Sequence, residues 1–405
     1  MKVEKIFQGE GPGKPLAFDF ADQARQVARI RVVGIGGAGG NAINRMIEDE
    51  LTGVDFIAMN TDLQVLEQNK SLCRIQIGRN LTKGLGAGGK PEIGKKAIEE
   101  NKDAVIEMLA ETDMVFITCG MGGGTGTGAS PVVAEIARDL GALTVGIVTK
   151  PFVFEGVKRM EKADTGIREL KEYVDTLIVV PNQKLLSLVP KDTPLEDAFR
   201  VADEILLHAT KGISDVINVP GLINLDFADV YNIMNQMGDA LMGSGVASGE
   251  NRAREAAEQA ISSSLIDDLS ISGALGVLLN ITGGKDLSLN DINEATTVVY
   301  DAAGSEANII FGAVIDPSMN GDLRVTVIAT GFHRDGFRSG FYREQYGKFS
   351  VPPSVEGSGN VPLFQKLETE PLEQTLGEVF GHDGGLSFVP KDDLNVPTFI
   401  RKQLD

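Results

Sequence analysis

The sequence predicts an α/β protein in which a mainly parallel sheet, covered by helices on both faces, is joined through one long helix to a smaller α/β domain with a mixed sheet. Three observations predict it. Short apolar runs alternate with helical patterns from residue 28 to residue 180, glycine-rich turns stand at the ends of three of these runs, and one helical repeat fills Pro194 to Asn218. Strand, helix and strand in succession imply right-handed crossovers and hence parallel pairing.

The first strand pattern, from Ala28 to Val33, runs into Gly34-Ile35-Gly36-Gly37-Ala38-Gly39-Gly40-Asn41 and a helix through Glu50. Gly34, Gly36 and Gly39 satisfy G-x-G-x-x-G, and Asp62 stands roughly twenty residues further on, which is the dinucleotide-binding spacing. Strands follow at Asp55 to Asn60 and Leu72 to Ile77, with a helix between them beginning near Asp62. A second glycine turn, Gly84-Leu85-Gly86-Ala87-Gly88-Gly89-Lys90, precedes a helix starting at Pro91, where a missing N–H costs nothing.

The strand Met114 to Cys119 ends in Gly120-Met121-Gly122-Gly123-Gly124-Thr125-Gly126-Thr127-Gly128, with an alanine-rich helix expected from Ser130. Glycines there let backbone amides approach an anion, a following helix adds partial positive charge, and Thr125 and Thr127 add hydroxyl donors. No Lys-Ser or Lys-Thr pair follows, so the ordinary P-loop pattern is not met. The first glycine loop taken alone suggests NAD and an oxidoreductase, but NAD has no use for a second phosphate cradle. Two loops on one crevice suggest a polyphosphate.

Further strands are expected at Leu143 to Val148 and Thr176 to Val180. Leu195, Phe199, Ala202, Leu206, Ala209 and Ile213 then recur at helical spacing, giving one helix of roughly 25 residues and about 37 Å, ended by Pro220-Gly221. The second domain reads as helices Phe227 to Leu241 and Arg252 to Ser262, a strand around Leu275 to Ile281, a helix Leu289 to Ala302, and strands Ile309 to Ile315 and Arg324 to Thr330. After Phe332 the periodicity stops. The polar stretch to Pro390 reads as a tether of roughly 60 residues, on the order of 45 Å end to end as a coil. In the terminal segment Asp392 to Gln403, Leu394, Val396, Phe399 and Ile400 could form an apolar face on a partner, and a frayed tail fits the bare pattern equally.

Composition narrows the function classes. At 405 residues and 42% hydrophobic content, cores for two domains can be built. A net charge of -19 argues against nucleic acid as a partner, because phosphates need a basic surface. Cys73 and Cys119 lie far apart in expected strands, which argues against a disulfide framework or zinc site and fits the cytoplasm. The N-terminal stretch to Gln26 shows neither a signal-peptide core nor a membrane span, and His208, His333 and His382 form no visible triad.

The Gly122 to Gly128 loop, together with Asn224-Leu225-Asp226-Phe227-Ala228-Asp229, resembles the FtsZ family, the bacterial and archaeal cell-division relatives of tubulin. The likeness covers about residues 29 to 332, and the tail resembles the family's partner-binding peptide. It implies a tubulin-like fold divided into a flexible segment (1–27), a GTP-binding domain (28–193), a central helix (194–219), a C-terminal activation domain (220–332), a disordered linker (333–390) and a binding peptide (391–405).

The resemblance also implies site residues. Gly37, Ala38, Gly39, Gly40 and Asn41 match the family's first glycine loop, although Ala38 and Gly40 stand where it often has Gly and Asn, and Ala38 requires a negative φ. Ala87, Gly88 and Gly89 match the loop near the γ-phosphate, and Gly124, Thr125 and Gly126, with Thr127 beside them, match the phosphate signature. Glu155 and Arg159 match sugar and phosphate contacts, while their spacing alone reads as a surface ion pair. Asn182, Phe199 and Asp203 match the base pocket, where one carboxylate can accept both N1–H and the exocyclic amine of guanine.

Asp226 and Asp229, with Asn224, match the catalytic acidic loop, which in this family enters the next subunit's pocket. The implied activity is hydrolysis of GTP to GDP and phosphate with Mg²⁺ on the nucleotide, with no direct protein ligand to the metal assigned. The implied assembly is a head-to-tail homopolymer forming the midcell division ring. Pro397, Phe399, Ile400 and Arg401 match the peptide that binds membrane-tethering adaptors such as FtsA, so no direct membrane insertion is implied.

Overall fold

A glycine-interrupted strand begins the second half of a single ten-stranded sheet that runs through the described residues. The computed structural model describes residues 28–186, 189–190, 192–219, 225–263 and 271–332, all within one compact unit. The expectations for residues 1–27, Asn224, the linker and the terminal peptide with Pro397, Phe399, Ile400 and Arg401 lie outside the described residues.

The first half comprises β1 (Ile30–Ile35), α1 (Gly36–Glu48), β2 (Val54–Asn60), α2 (Leu63–Glu67), β3 (Cys73–Gln76), α3 (Arg79–Thr82), α4 (Pro91–Glu99), α5 (Lys102–Leu109) and β4 (Met114–Gly120). It continues with α6 (Thr125–Asp139), β5 (Leu143–Lys150), α7 (Val157–Lys171), β6 (Thr176–Pro181) and α8 (Asn182–Leu185). After the central α9 (Leu195–Asn218) come α10 (Phe227–Met234), β7 (Gly238–Ser248), α11 (Arg252–Ile261), β8 (Gly276–Gly283), α12 (Leu289–Ala303), β9 (Asn308–Ile315) and β10 (Asp322–Thr330).

The ten strands form one sheet in the order β3-β2-β1-β4-β5-β6-β7-β10-β8-β9. Pairing is parallel from β3 to β7, antiparallel on both sides of β10, and parallel again between β8 and β9. The mixed sheet expected for the second half is present. It is continuous with the first through a short seam, Thr176↔Gly238, Leu177↔Asp239 and Ile178↔Ala240.

Every residue of β5 and nearly every residue of β4 is buried, as strands covered on both faces require. On one face Ile43 and Met46 of α1 pack with Ala202, Leu206, Ala209 and Ile213 of α9. On the other, Ala97, Val133 and Leu170 bring α4, α6 and α7 into a separate cluster. A third cluster joins α11 and α12 to the antiparallel strands.

One expected element is wrong. The helix from Phe227 to Leu241 ends at Met234, and Gly238–Ser248 is a strand. Asn235 is extended, and Gln236 and Gly238 have φ of 57° and 75°, which an α-helix cannot accommodate. The strand Gly-Asp-Ala-Leu-Met-Gly-Ser-Gly-Val-Ala-Ser is poor in β-branched residues, so its sequence carries little strand signal.

Candidate functional site

β1 and β4 are adjacent and parallel, and the chain leaves them towards opposite edges of the sheet, through β2 and through β5. Their carboxyl ends therefore frame a switch-point crevice. Both long glycine loops lie there, in register at Ile35 and Cys119. A methyl on Gly36 would stand 3.0 Å from the Gly126 amide, and one on Gly124 would stand 2.8 Å from the Ala87 Cβ and 3.2 Å from the Gly89 amide. All three loops thus touch.

Their outer sides are open. Gly37 from the first loop, Gly123 from the second, and Gly88 and Gly89 from the third have, among the described residues beyond their own chain neighbours, no atom within 4 Å of where a Cβ would be. The missing side chains leave room beside backbone amides on three sides of one crevice, with the N-termini of α1 and α6 among them. Such an arrangement suits a chain of phosphates.

The helices start earlier than expected. Gly37 to Asn41 lie inside α1, and Thr125, Gly126 and Thr127 form the first turn of α6, five residues before Ser130. Ala38 keeps a negative φ, so its methyl is unstrained; it abuts Gly120 and is exposed, like Asn41. The threonine hydroxyls are engaged within the protein: Thr125 Oγ1 lies 2.7 Å from Thr61 Oγ1, and Thr127 Oγ1 accepts from the Gly122 amide at 2.9 Å. Thr127 thereby shapes the loop from within.

Asp62 does not stand as a free ribose acceptor. Its carboxylate caps α2, accepting from the Gln64 amide at 3.0 Å and the Val65 amide at 3.3 Å. The dinucleotide reading loses its acid to a helix cap.

Beyond the loops, β6 ends at Pro181, Asn182 opens α8, and α9 packs against β5 and α8. Asn182 is 5% exposed, and its Oδ1 is buried with no hydrogen-bond partner among the described residues. A buried acceptor left unmade is costly and marks a place for a polar ligand. Phe199 stands edge-on to Phe152, with ring centroids 5.3 Å apart. One turn further on α9, burial pushes the Asp203 carboxyl up to about 7, with Arg45 opposing and Glu204 adding to the rise.

Glu155 and Arg159 form the ion pair that their spacing allows, at 3.1 Å, and Glu155 also accepts from the Phe152 amide at 2.8 Å. Arg159 nonetheless borders the loops, since a methyl on Gly122 would stand 2.6 Å from its carbonyl oxygen.

The acidic pair lies elsewhere. Asp226 and Asp229 form a reciprocal cap on α10, with the Asp229 amide donating to Asp226 at 2.9 Å and the Asp226 amide to Asp229 at 3.3 Å. They follow the far end of α9, whose axis alone runs about 22 Å from Asp203 to Asn218. Within one chain the structure separates them from the glycine loops.

Residues 29–190 match the model of the Tubulin/FtsZ family, GTPase domain, and residues 238–333 match that of the FtsZ family, C-terminal domain. Among solved structures, an empty FtsZ dimer of M. jannaschii is 47% identical, with a TM-score of 0.73, and the match covers 75% of this chain and 88% of that chain. The chain belongs to the FtsZ family.

It is accordingly a GTP-binding protein with the family's GTPase domain, and the oxidoreductase reading is not favoured. A second M. jannaschii FtsZ structure matches equally, at 47% identity and a TM-score of 0.73, over 76% of this chain and 92% of that one. CetZ2 from Haloferax volcanii, solved as a GTPγS-bound protofilament, shares the fold at 22% identity and a TM-score of 0.65, over 78% of this chain and 97% of that chain.

Sequence reasoning missed several residues that build this FtsZ site. Asn69 holds the Gly40 carbonyl at 2.8 Å, and Lys162 holds the Gly89 carbonyl at 2.6 Å, fixing the first and third loops from outside. Neither stands in a motif. Phe152 could have been found, because Pro-Phe-Val-Phe places two aromatics at a strand end, and Phe152 and Phe154 stack at 5.0 Å.

Proposed function

We propose that this GTPase assembles head to tail into filaments whose subunit junctions complete the hydrolytic site, and that these filaments form the division ring at midcell in the cytoplasm. The observation that carries this reading is the separation within one chain of the phosphate-suited loops from Asp226 and Asp229, at opposite ends of α9. A second copy stacked on the first would bring the acids to the loops, and a heterologous contact that does not close makes a filament. The M. jannaschii relative solved as a dimer and the CetZ2 protofilament support self-association.

In this reading Gly37, Ala38, Gly39, Gly40, Asn41, Ala87, Gly88, Gly89, Gly124, Thr125, Gly126 and Thr127 cradle the phosphates. Glu155 and Arg159 face the sugar and phosphates, and Asn182, Phe199 and Asp203 hold guanine. The neighbour's Asp226 and Asp229, with Asn224, orient the water that attacks the γ-phosphate in line, its oxygen forming the new P–O bond as the bond to the bridging oxygen breaks. The adjacent carboxylates suit a Mg²⁺ carried mainly on the phosphates, which would spread the negative charge of the reaction; among the described residues no group of three or more His, Cys, Asp or Glu offers a cage.

The domain division given by the sequence completes the proposal: residues 28–193 bind GTP, 194–219 link, 220–332 supply the acids, and 333–390 tether residues 391–405. Pro397, Phe399, Ile400 and Arg401 would recruit adaptors such as FtsA, many tails along one filament adding avidity. The test is specific GTPase activity against protein concentration, with sedimentation in GTP. Activity should rise as filaments form, and activity independent of concentration would overturn the shared site.

A further inference from the structure

Guanine recognition by one carboxylate needs that carboxylate ionised, with both oxygens open. Asp203 is partly buried in a site that disfavours its charge, and among the described residues no hydrogen bond or ion pair holds it. Something must keep it usable.

Arg45, in the last turn of α1, points at this part of α9. Its guanidinium donates to Glu204 at 2.8 Å, the residue next to Asp203, and lies 3.5 Å from Glu48 on its own helix. Its Nε–H is buried without an acceptor among the described residues. Of the charged groups on the elements packed here (Arg45 and Glu48 on α1, Arg200 and Glu204 on α9, Lys184 on α8), Arg45 and Glu204 bear on Asp203, the first favouring its charge and the second opposing it. Partly exposed ion pairs contribute little to stability, so the Arg45–Glu204 contact matters more for where it holds the guanidinium than for its own strength.

We propose that Arg45 is a positioning residue for guanine recognition: anchored on Glu204, its guanidinium favours the ionised form of the neighbouring Asp203 without occupying the oxygens that the base would use. This rests on the reading of Asp203 as the base-binding group. Arg45 acts through Asp203 and touches no substrate. A lysine could supply the charge but not the planar fork that reaches Glu204 while leaving a second edge turned inward.

The test is GDP affinity of the full chain from pH 5.5 to 9, for wild type, Arg45→Gln, Arg45→Lys and Asp203→Asn. All four share the titration of the nucleotide phosphates near pH 6, which cancels when each profile is divided by that of Asp203→Asn. Referred in this way, wild-type affinity should fall about tenfold per pH unit below about 7. Arg45→Gln should move that fall upward by about one pH unit, weakening binding about fivefold at pH 7 and close to tenfold at pH 5.5 while leaving it within about twofold of wild type at pH 9, with Arg45→Lys between them. Recovery at high pH is what a packing defect would not give.

An unmoved midpoint in Arg45→Gln, or an equal loss at every pH, would overturn the role of Arg45 even with Asp203 still reading the base. If Arg45→Gln does not fold, the midpoint of Arg45→Lys decides. If Asp203→Asn instead kept the wild-type profile and its preference for GDP over ADP, the reading of Asp203 itself would fall, separately from the role of Arg45.

Discussion

Replacing Gly37 by alanine adds one methyl group on the open side of the first loop. Among the described residues beyond its own chain neighbours nothing lies within 4 Å of that methyl, and the φ there is not positive, so folding should be unharmed. In the first turn of α1, alanine could even stabilise the free protein, by up to about 1 kcal/mol. The nucleotide should notice it. A methyl beside the amides would keep a phosphate oxygen from at least one charge-assisted hydrogen bond, about 1.5–3 kcal/mol or roughly 10- to 150-fold in GDP affinity.

Gly39→Ala is the control with the opposite signature. Its methyl would stand 2.4 Å from the Thr118 carbonyl oxygen and 2.9 Å from the Gly34 carbonyl carbon, both rigid backbone. That variant should lose at least about 1–3 kcal/mol of stability. The assays are thermal unfolding without nucleotide and titration with a fluorescent GDP analogue. Wild-type GDP binding by Gly37→Ala, or equal destabilisation by both substitutions, would refute the placement of phosphate on this loop.

Asp229→Ala should bind GTP as wild type does and lose turnover, and it should regain part of its turnover when mixed with a Gly37→Ala chain, because one of the two orientations of a mixed junction pairs intact loops with an intact acid pair. Parallel loss of binding and turnover would count against the assignment. Arg252 donates to Asp291 at 2.9 Å and to Asp286 at 2.5 Å, with Arg252 and Asp291 side chains only 10% and 12% exposed. Arg252→Met should cost about 3–5 kcal/mol in chemical denaturation by stranding Asp291.

Burial would raise the Asp291 carboxyl, but hydrogen bonds from Arg252 and Ser288 outweigh it and hold the group below its ordinary 3.8. Its stabilisation is therefore present above that value and lost as pH falls through the lower folded one, and Arg252→Met should flatten that acid limb. Burial pushes the Cys119 thiol up to about 12, so a thiol reagent at pH 8 should label the half-buried Cys73 first in the native protein.

The sequence by itself determined the alternation of strands and helices in the first half, because fully buried parallel strands are written as unbroken apolar runs and their glycine ends as visible interruptions. It also determined the length of α9, whose apolar residues repeat at helical spacing over 24 residues. What it could not determine was set by contacts between distant parts of the chain. β7 is a strand because β10 pairs with it from Ala240 to Ser248, not because its glycines and alanines favour one. Asp62 is spent on a cap, Asn69 and Lys162 hold loops from afar, and Arg45 reaches Asp203's neighbour across 159 positions. Periodicity and glycine spacing are local properties, whereas hydrogen-bond partners and charge fields depend on which surfaces folding brings together, and that only the tertiary structure decided.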